Sequence, residues 1–277
     1  MKNPLNKSYY DFNQLKDEYL NNNPFPHIVL DDFIEEEILQ KVIEEFPDLG
    51  SLDNKIDFND PTQIKLASKG SRDLSENAYK LISFLNSDIF LNNLQNLTGI
   101  RETLISDPYL SGGGYHQIKN GGVLKVHADF NKHPLMNLDR RVNLLIYLNK
   151  GWKNDWGGSL ELYSKNDLDK PIKKINPNFN RCVIFNTTSY TYHGHPKPLK
   201  CPGNISRKSI ALYYFSIGRP LEEVDDNQVS IFNNKHSTLF VETKGETFQK
   251  QKFSFKKLLI MITPPFITDY LKYKFEK

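Results

Sequence analysis

The spacing of apolar residues changes character near residue 109. Upstream it is helical. In FIEEEILQKVIEEF the residues Phe33, Ile34, Ile38, Leu39, Val42, Ile43 and Phe46 recur at the 3.6 period, which predicts an amphipathic helix capped by Asp31 or Asp32 and stopped by Pro47. The same spacing predicts helices over Glu76 to Leu85 and Asp88 to Leu97, the second closed by Gly99. One β-branched run, PHIVLDD (Pro26 to Asp32), predicts a strand ahead of them, and a polar stretch from Asp48 to Arg72 separates the first helix from the others.

Downstream of Tyr109 the pattern becomes short runs broken by Gly, Asn and Pro. They are GYHQIK, an Asn120-Gly121 turn of hairpin type, VLKVHAD, RVNLLIYLN, GGSLELYS, KKI, RCVIFNT, YTYHGHP and SRKSIALYYFS. So many short strands in this length predict a mainly β protein with flanking helices, its core a double-stranded β-helix (a jelly roll, cupin-like) and not a parallel α/β sheet. The expected organisation is a helical support with a leading strand over 1–108, part of the same domain, a jelly-roll core over 109–220, and a basic C-terminal extension over 221–277. That extension ends in FSFKKLLIMITPPFITDYLKYKFEK, which reads as a helix packed on the barrel and broken at Pro264-Pro265; its basic flanks leave weak peripheral membrane contact as the other reading.

Composition narrows the classes. With 277 residues, 38% of them hydrophobic and 25% charged, the chain can bury a sizeable core, so disorder is not expected. A net charge of +3 with basic residues spread along the chain offers no stripe for nucleic acid. Two cysteines, Cys182 and Cys201, form no CxxC pair and no disulfide framework, which suits a reducing cytoplasm. No window approaches the roughly 18 apolar residues of a membrane span, and the first residues carry no signal-like apolar segment.

The candidate chemistry begins in LKVHADFN, where His127 and Asp129 sit two apart in an apolar strand and so project from one face. A carboxylate buried beside an imidazole needs a compensating charge, and a divalent metal supplies one. His193 and His195, in YHGHPKPL, offer a third ligand from a later strand. Two histidines and one carboxylate on one face make the facial triad of non-haem iron oxygenases, which leaves coordination positions open. In SRKSIALYYFS, alternation places Arg207 and Ser209 on one face, and a guanidinium there can clamp a carboxylate through paired hydrogen bonds.

Taken in order, the HxD pair, RVNLLIYLN, the GW and WGG-LEL block (Gly151 to Leu162), YHGHPKPL and SRKSIALYYFS resemble the 2-oxoglutarate and Fe(II)-dependent oxygenases, in particular their prolyl 4-hydroxylase-like branch. The likeness runs from about Tyr109 to Pro220, and PFPHIVLDDFI resembles the opening segment of that branch. It implies His127, Asp129 and His193 as iron ligands, with His195 as the rival to His193 and otherwise a pocket residue. It implies Arg207 on the distal carboxylate of 2-oxoglutarate, joined by Tyr147 and Ser209. The implied cofactors are Fe(II), 2-oxoglutarate and dioxygen, with room for ascorbate. The implied reaction hydroxylates a substrate while 2-oxoglutarate becomes succinate and carbon dioxide.

Other residues are candidates by alternation. Gln117, on the face of Tyr115, is a candidate for the cosubstrate pocket, and Asn143 and Arg141, on the face of Tyr147, join His195 and Tyr115 as candidate substrate-pocket residues. The stretches Asp48 to Arg72 and Lys132 to Arg141 are expected rims, and KPLKCPGNIS is expected to loop over the mouth. Two rival classes use the same residues: a zinc-type hydrolase, against which Arg207 argues, and a non-catalytic jelly-roll binding protein, against which the full ligand set argues. The substrate, a prolyl residue of a protein or a small or carrier-linked metabolite, is not written in these motifs.

Overall fold

Thirteen strands and four helices account for the architecture, which we describe from a computed structural model covering residues 3–224, 238–241 and 243. In chain order they are α1 (Lys16–Asn21), β1 (His27–Leu30), α2 (Glu36–Glu44), β2 (Lys55–Asp60), β3 (Gln63–Ser68), α3 (Glu76–Leu85), α4 (Asp88–Thr98), β4 (Ile105–Ser106), β5 (Gly114–Ile118), β6 (Val123–Ala128), β7 (Asp139–Tyr147), β8 (Leu160–Tyr163), β9 (Lys173–Ile175), β10 (Cys182–Asn186), β11 (Tyr192–His195), β12 (Arg207–Ser216) and β13 (Leu239–Phe240). The strands run in the order β1-β10-β7-β12-β5-β3-β6-β11-β8-β9, each pair antiparallel, with β2 on β3, β4 on β12 and β13 on β6. The sheet curls into a nearly closed jelly roll, as the strand pattern predicts.

Two cores follow from the alternation of side chains. On the outer face of β1, β10, β7 and β12, Ile28, Ile184, Leu144, Ile146, Ile210, Leu212 and Tyr214 pack against Leu39 and Val42 of α2, Leu81 and Leu85 of α3 and Phe90 and Leu94 of α4. Inside the roll, Tyr147, Val183, Phe185, Leu160 and Leu162 form a smaller cluster. The helices thus buttress one half of the roll from outside, and its interior is left to the polar residues described below. All the described residues fall within one compact unit. The C-terminal run around Pro264-Pro265, with its expected helix and membrane contact, lies outside the described residues.

Three expectations change. The helix expected from Phe33 is α2, which starts at Glu36 with Glu35 as its N-cap. Phe33 and Ile34 are instead held in extended backbone by Asn180, whose carbonyl accepts from Phe33 N (3.1 Å) and whose side chain both accepts from Ile34 N (2.9 Å) and donates to Ile34 O (2.7 Å). Asp31 is drawn away from any capping role by Arg181, at 2.7 and 2.8 Å. The polar stretch from Asp48 to Arg72 contains the β2–β3 hairpin, and with the short β4 the N-terminal region holds four strands and not one. Finally, Asn120 and Gly121 do turn the chain, with Gly122 N donating to Lys119 O at 2.9 Å, but β5 and β6 do not pair. They splay, and β3 bridges them, Leu66 and Ala67 lying against β5 and Gln63 and Ile64 against β6.

Candidate active site

His127 is the last residue but one of β6 and lies directly across from His193 of β11, so antiparallel pairing alone brings the two rings to 4.4 Å between centres. Asp129 follows just beyond the strand end. Its carboxylate sits 3.7 Å from His127 Nε2 and 3.4 Å from His193 Nε2, and one ligand atom from each of the three residues falls within 4.8 Å of the others. Each histidine is oriented by its other nitrogen. His127 Nδ1 is 2.7 Å from Lys125 O and His193 Nδ1 is 3.1 Å from Thr191 O. A carbonyl only accepts, so both Nδ1 atoms carry the proton and both Nε2 lone pairs face the carboxylate.

The protonation states suit cation binding. Burial disfavours the Asp129 anion, yet the Arg140 guanidinium and the two imidazoles hold its carboxyl well below the usual carboxylate range. Burial, then His127, push His193 down to about 4, so its ring is neutral at neutral pH. Two imidazole nitrogens and a carboxylate oxygen, all ready to donate electron pairs into one small space, fit a divalent transition metal.

Arg140, not Arg141, holds Asp129. Strict alternation along β7 puts Arg141 with Asn143 and Tyr147, but the pairing with β12 slips between Tyr214 and Phe215: Tyr214 faces Val142 and Phe215 faces Arg140. Arg141 is the extra residue of a bulge, and one extra residue reverses the facing of everything before it. Arg140 Nη2 therefore reaches Asp129 Oδ2 at 3.1 Å and its Nε reaches Asn143 Oδ1 at 2.9 Å. Its guanidinium carbon stands 3.5 Å from the centre of the Tyr213 ring. Arg141 turns away to Glu102 (2.8 Å), Ser216 (2.9 Å) and Glu223 (3.2 Å), outside the pocket proposed for it. Asn143 does face inward, donating to Asp129 Oδ2 at 2.7 Å, so it serves the carboxylate and not an open pocket wall.

Deeper in the roll, Arg207 donates from Nε to Gly158 O at 2.7 Å and from Nη2 to the Tyr147 hydroxyl at 3.2 Å. Gly158, the last of the WGG block, has φ +76°, and a Cβ there would stand 2.6 Å from Leu199 Cδ2 and 3.1 Å from Arg207 Cδ. Only glycine lets the Arg207 stem pass. Tyr147 is fully buried, and burial raises its hydroxyl pKa against the pull of Arg207, so it remains a phenol. Ser209 pairs across to Tyr147 on one side and His116 on the other, which puts all three on the Arg207 face.

That register excludes two candidates. Gln117 pairs with Lys208 and Tyr115 with Ile210, on the face opposite Arg207. Gln117 accepts from Leu49 N (2.9 Å) and donates to Ser206 Oγ (3.0 Å), while Tyr115 packs on Phe46, 4.3 Å between ring centres, and meets Ser75 Oγ at 2.9 Å. Both are structural contacts behind the sheet. Their neighbour His116 faces inward in their place.

His195 points inward with His193, and both of its ring nitrogens are buried without a hydrogen-bond partner among the described residues. Burial, then Arg207 and Lys65, drive its pKa well below that of a free imidazole. A buried ring with two orphaned nitrogens beside a guanidinium marks a space built to receive a polar guest. Gly194, between the two histidines, faces a bulge on β6, and a Cβ there would lie 2.8 Å from both Leu124 O and Lys125 O. The connection from Pro196 to Ser206, expected over the mouth, packs beside Arg207, with Leu199 and Cys201 against Trp152 and Ile118.

Sequence reasoning missed Arg140, His116 and Lys65. The bulge that exposes Arg140 leaves no sequence trace, but Lys65 could have been found: KIDFND and QIKLAS alternate about a two-residue turn, a hairpin signal obscured by polar composition.

The motif order now has its geometry, and a family model described as the 2OG-Fe(II) oxygenase superfamily matches residues 113–215. Over those residues the chain is similar to that superfamily. Prolyl 3-hydroxylase OGFOD1 of Xenopus laevis is 28% identical over 179 residues, covering 63% of this chain and 32% of that protein. The Mus musculus protein of the same name is 30% identical over 86 residues, covering 29% of this chain and 15% of the other. The match thus spans about a third or less of the length of these relatives. A prolyl hydroxylase from Trichoplax adhaerens, solved with a peptide fragment of a hypoxia-inducible factor, shares the fold with a TM-score of 0.51 and 18% identity, over 76% of this chain and 91% of that one. A Pseudomonas putida prolyl 4-hydroxylase gives 0.50 and 14%, over 75% and 100%. Among the described residues no helix is long and apolar enough to cross a membrane.

Proposed function

We propose that this chain is an Fe(II)- and 2-oxoglutarate-dependent dioxygenase that hydroxylates its substrate, with His127, Asp129 and His193 as metal ligands and Arg207, Tyr147 and Ser209 as the seat of the distal cosubstrate carboxylate. The observation that carries it is the convergence of the three ligand atoms within 4.8 Å in the same interior as the Arg207–Tyr147 pair. When bound, iron and 2-oxoglutarate supply the oxidising power: dioxygen is consumed as 2-oxoglutarate loses carbon dioxide to give succinate, and one oxygen atom goes to the substrate. The protein's part is positional. The Lys125 and Thr191 carbonyls fix the imidazoles, Arg140 and Asn143 fix the carboxylate, and the ring of Phe185, 4.9 Å from that of His193, keeps one side of the site apolar.

For the substrate we propose a prolyl residue of a protein, in line with the relatives' names, or a small or carrier-linked metabolite, and not a nucleic acid. We place the protein in the cytoplasm, because Cys182 and Cys201 are both buried and unpaired. The catalytic core is proposed to span 109–220, supported by 1–108.

The test is anaerobic calorimetry of 2-oxoglutarate with Fe(II)-loaded protein, followed by succinate release on admitting air. Arg207→Met is expected to weaken 2-oxoglutarate binding by roughly 30-fold or more, the loss of a buried charge-assisted clamp, and Tyr147→Phe by less. Unaltered 2-oxoglutarate affinity in Arg207→Met would refute the assignment.

A further inference from the structure

A third cation enters the site from a strand outside the region the family model covers. Lys65 lies on β3, where Ala67 pairs with His116. Alternation therefore turns Lys65 to the same inner face as His116, Ser209 and Arg207. Its partner across the hairpin is Phe58, and the ammonium stands 4.8 Å from the centre of that ring. Among the described residues no carboxylate comes within ion-pairing distance of it, whereas Lys119, Lys132 and Lys174 each have one.

The charged groups that act on Lys65 are those of the site: Asp129, Arg140, Arg207, and Asp60 of its own hairpin. Burial lowers its pKa to about 8, Asp129 opposes, and the two guanidinium groups add to the lowering. It still carries its proton at neutral pH. A half-buried ammonium without a counter-ion is costly in a folded chain unless a bound group answers it.

Charge accounting shows what that group must be. A divalent ion and the 2-oxoglutarate dianion cancel, and the Asp129 carboxylate is answered by Arg140 at 3.1 Å. Arg207 and Lys65 then leave the loaded site net positive, and in the reading above Arg207 is already committed to the distal carboxylate beside Tyr147. We propose that Lys65 is a specificity-determining residue, and that the substrate carries an anionic oxygen group, carboxylate or phosphate, which docks on the Lys65 ammonium while the C–H to be hydroxylated faces the metal. This rests on the oxygenase reading and adds the chemical class of substrate to it. The Phe58 ring steadies the Lys65 ammonium, so the charge is held in place before the substrate arrives.

The experiment uses the full chain loaded with Zn(II), a diamagnetic substitute, and 2-oxoglutarate, with lysines labelled at 13Cε; Lys65→Met identifies the Lys65 resonance. Inorganic phosphate is expected to shift that resonance saturably, and trimethyl phosphate, its neutral ester, to leave it in place. Phosphate affinity falls roughly tenfold in Lys65→Met, the worth of one charge-assisted contact, and returns in Lys65→Arg. Calorimetry of 2-oxoglutarate separates the two levels of inference. If the metal-loaded wild type fails to take 2-oxoglutarate, the oxygenase reading falls and this one with it. If it binds 2-oxoglutarate but the Lys65 signal ignores phosphate, or Lys65→Met binds phosphate as well as wild type, or phosphate merely expels 2-oxoglutarate, the substrate inference alone is overturned.

Discussion

Replacing Gly194 by alanine puts the pairing that gathers the candidate metal ligands under direct stress. The new Cβ would stand 2.8 Å from the carbonyl oxygens of Leu124 and Lys125 and 3.0 Å from the carbonyl carbon of Lys125. Ordinary carbon–oxygen contact lies near 3.4 Å, so the obstacle falls short by roughly half an ångström. It is backbone on both counts and has no rotamer through which to yield. β11 must therefore move off β6, and β11 carries His193 while β6 carries His127. Overpacking of this kind costs about 1–3 kcal/mol, which for a domain of this size lowers the melting temperature by about 2–4 °C per kcal/mol. The metal site suffers separately, since ligands must be held to within about half an ångström of their working positions. Zn(II) affinity should fall by about tenfold or more, measured by competition with a chromogenic chelator beside the melting curve of the metal-free protein. Gly203→Ala is the control, because a Cβ there meets nothing within 4 Å. A Gly194→Ala protein that melts with wild type and binds Zn(II) equally well would show that the β6–β11 contact does not set the ligand geometry.

Other expectations are sharper in pairs. Arg140→Met should weaken metal binding by about 10–100-fold through loss of the group that orients Asp129, whereas Arg141→Met should leave metal affinity intact and lower stability, because Glu102 and Glu223 lose their partner; the reverse result would place the bulge wrongly. His116 is pushed down to about 3 by burial, with Lys65 adding to it, so it is neutral when folded but takes up a proton on unfolding below its ordinary value of about 6.5. Its contribution to stability is complete above that value and is lost as pH falls from there toward 3. Denaturant midpoints measured across that window should fall less steeply in His116→Gln than in wild type, and parallel curves would refute the assignment.

What could be read before the structure divides along a physical line. Alternation and motif order located the roll, the His127–Asp129 pair, His193 and the Arg207 strand, because these depend on the period of an extended chain and on which side chains share a face. Alternation misleads wherever a bulge intervenes, since one extra residue changes the phase while the sequence still reads as a smooth run. It selected Arg141 where Arg140 faces Asp129, and it gave no sign that β6 bulges opposite Gly194 so that Leu124 and His127 each pair with an inward histidine. Register likewise rests on pairing and not on local pattern: Tyr115 and Gln117 share a face as expected, but only the partner residues Ile210 and Lys208 show that it is the face turned toward the helices. Asn120-Gly121 makes its turn, yet the strand paired with both of its arms comes from a segment about fifty to sixty residues earlier, a non-local choice that no turn sequence encodes. The two bulges lie beside His193 and Asp129, where the sheet must abandon regular alternation to aim several side chains at one point. Departures from the period are therefore concentrated where the chemistry is, and Arg141, misassigned at one of them, is itself evidence of where the site lies.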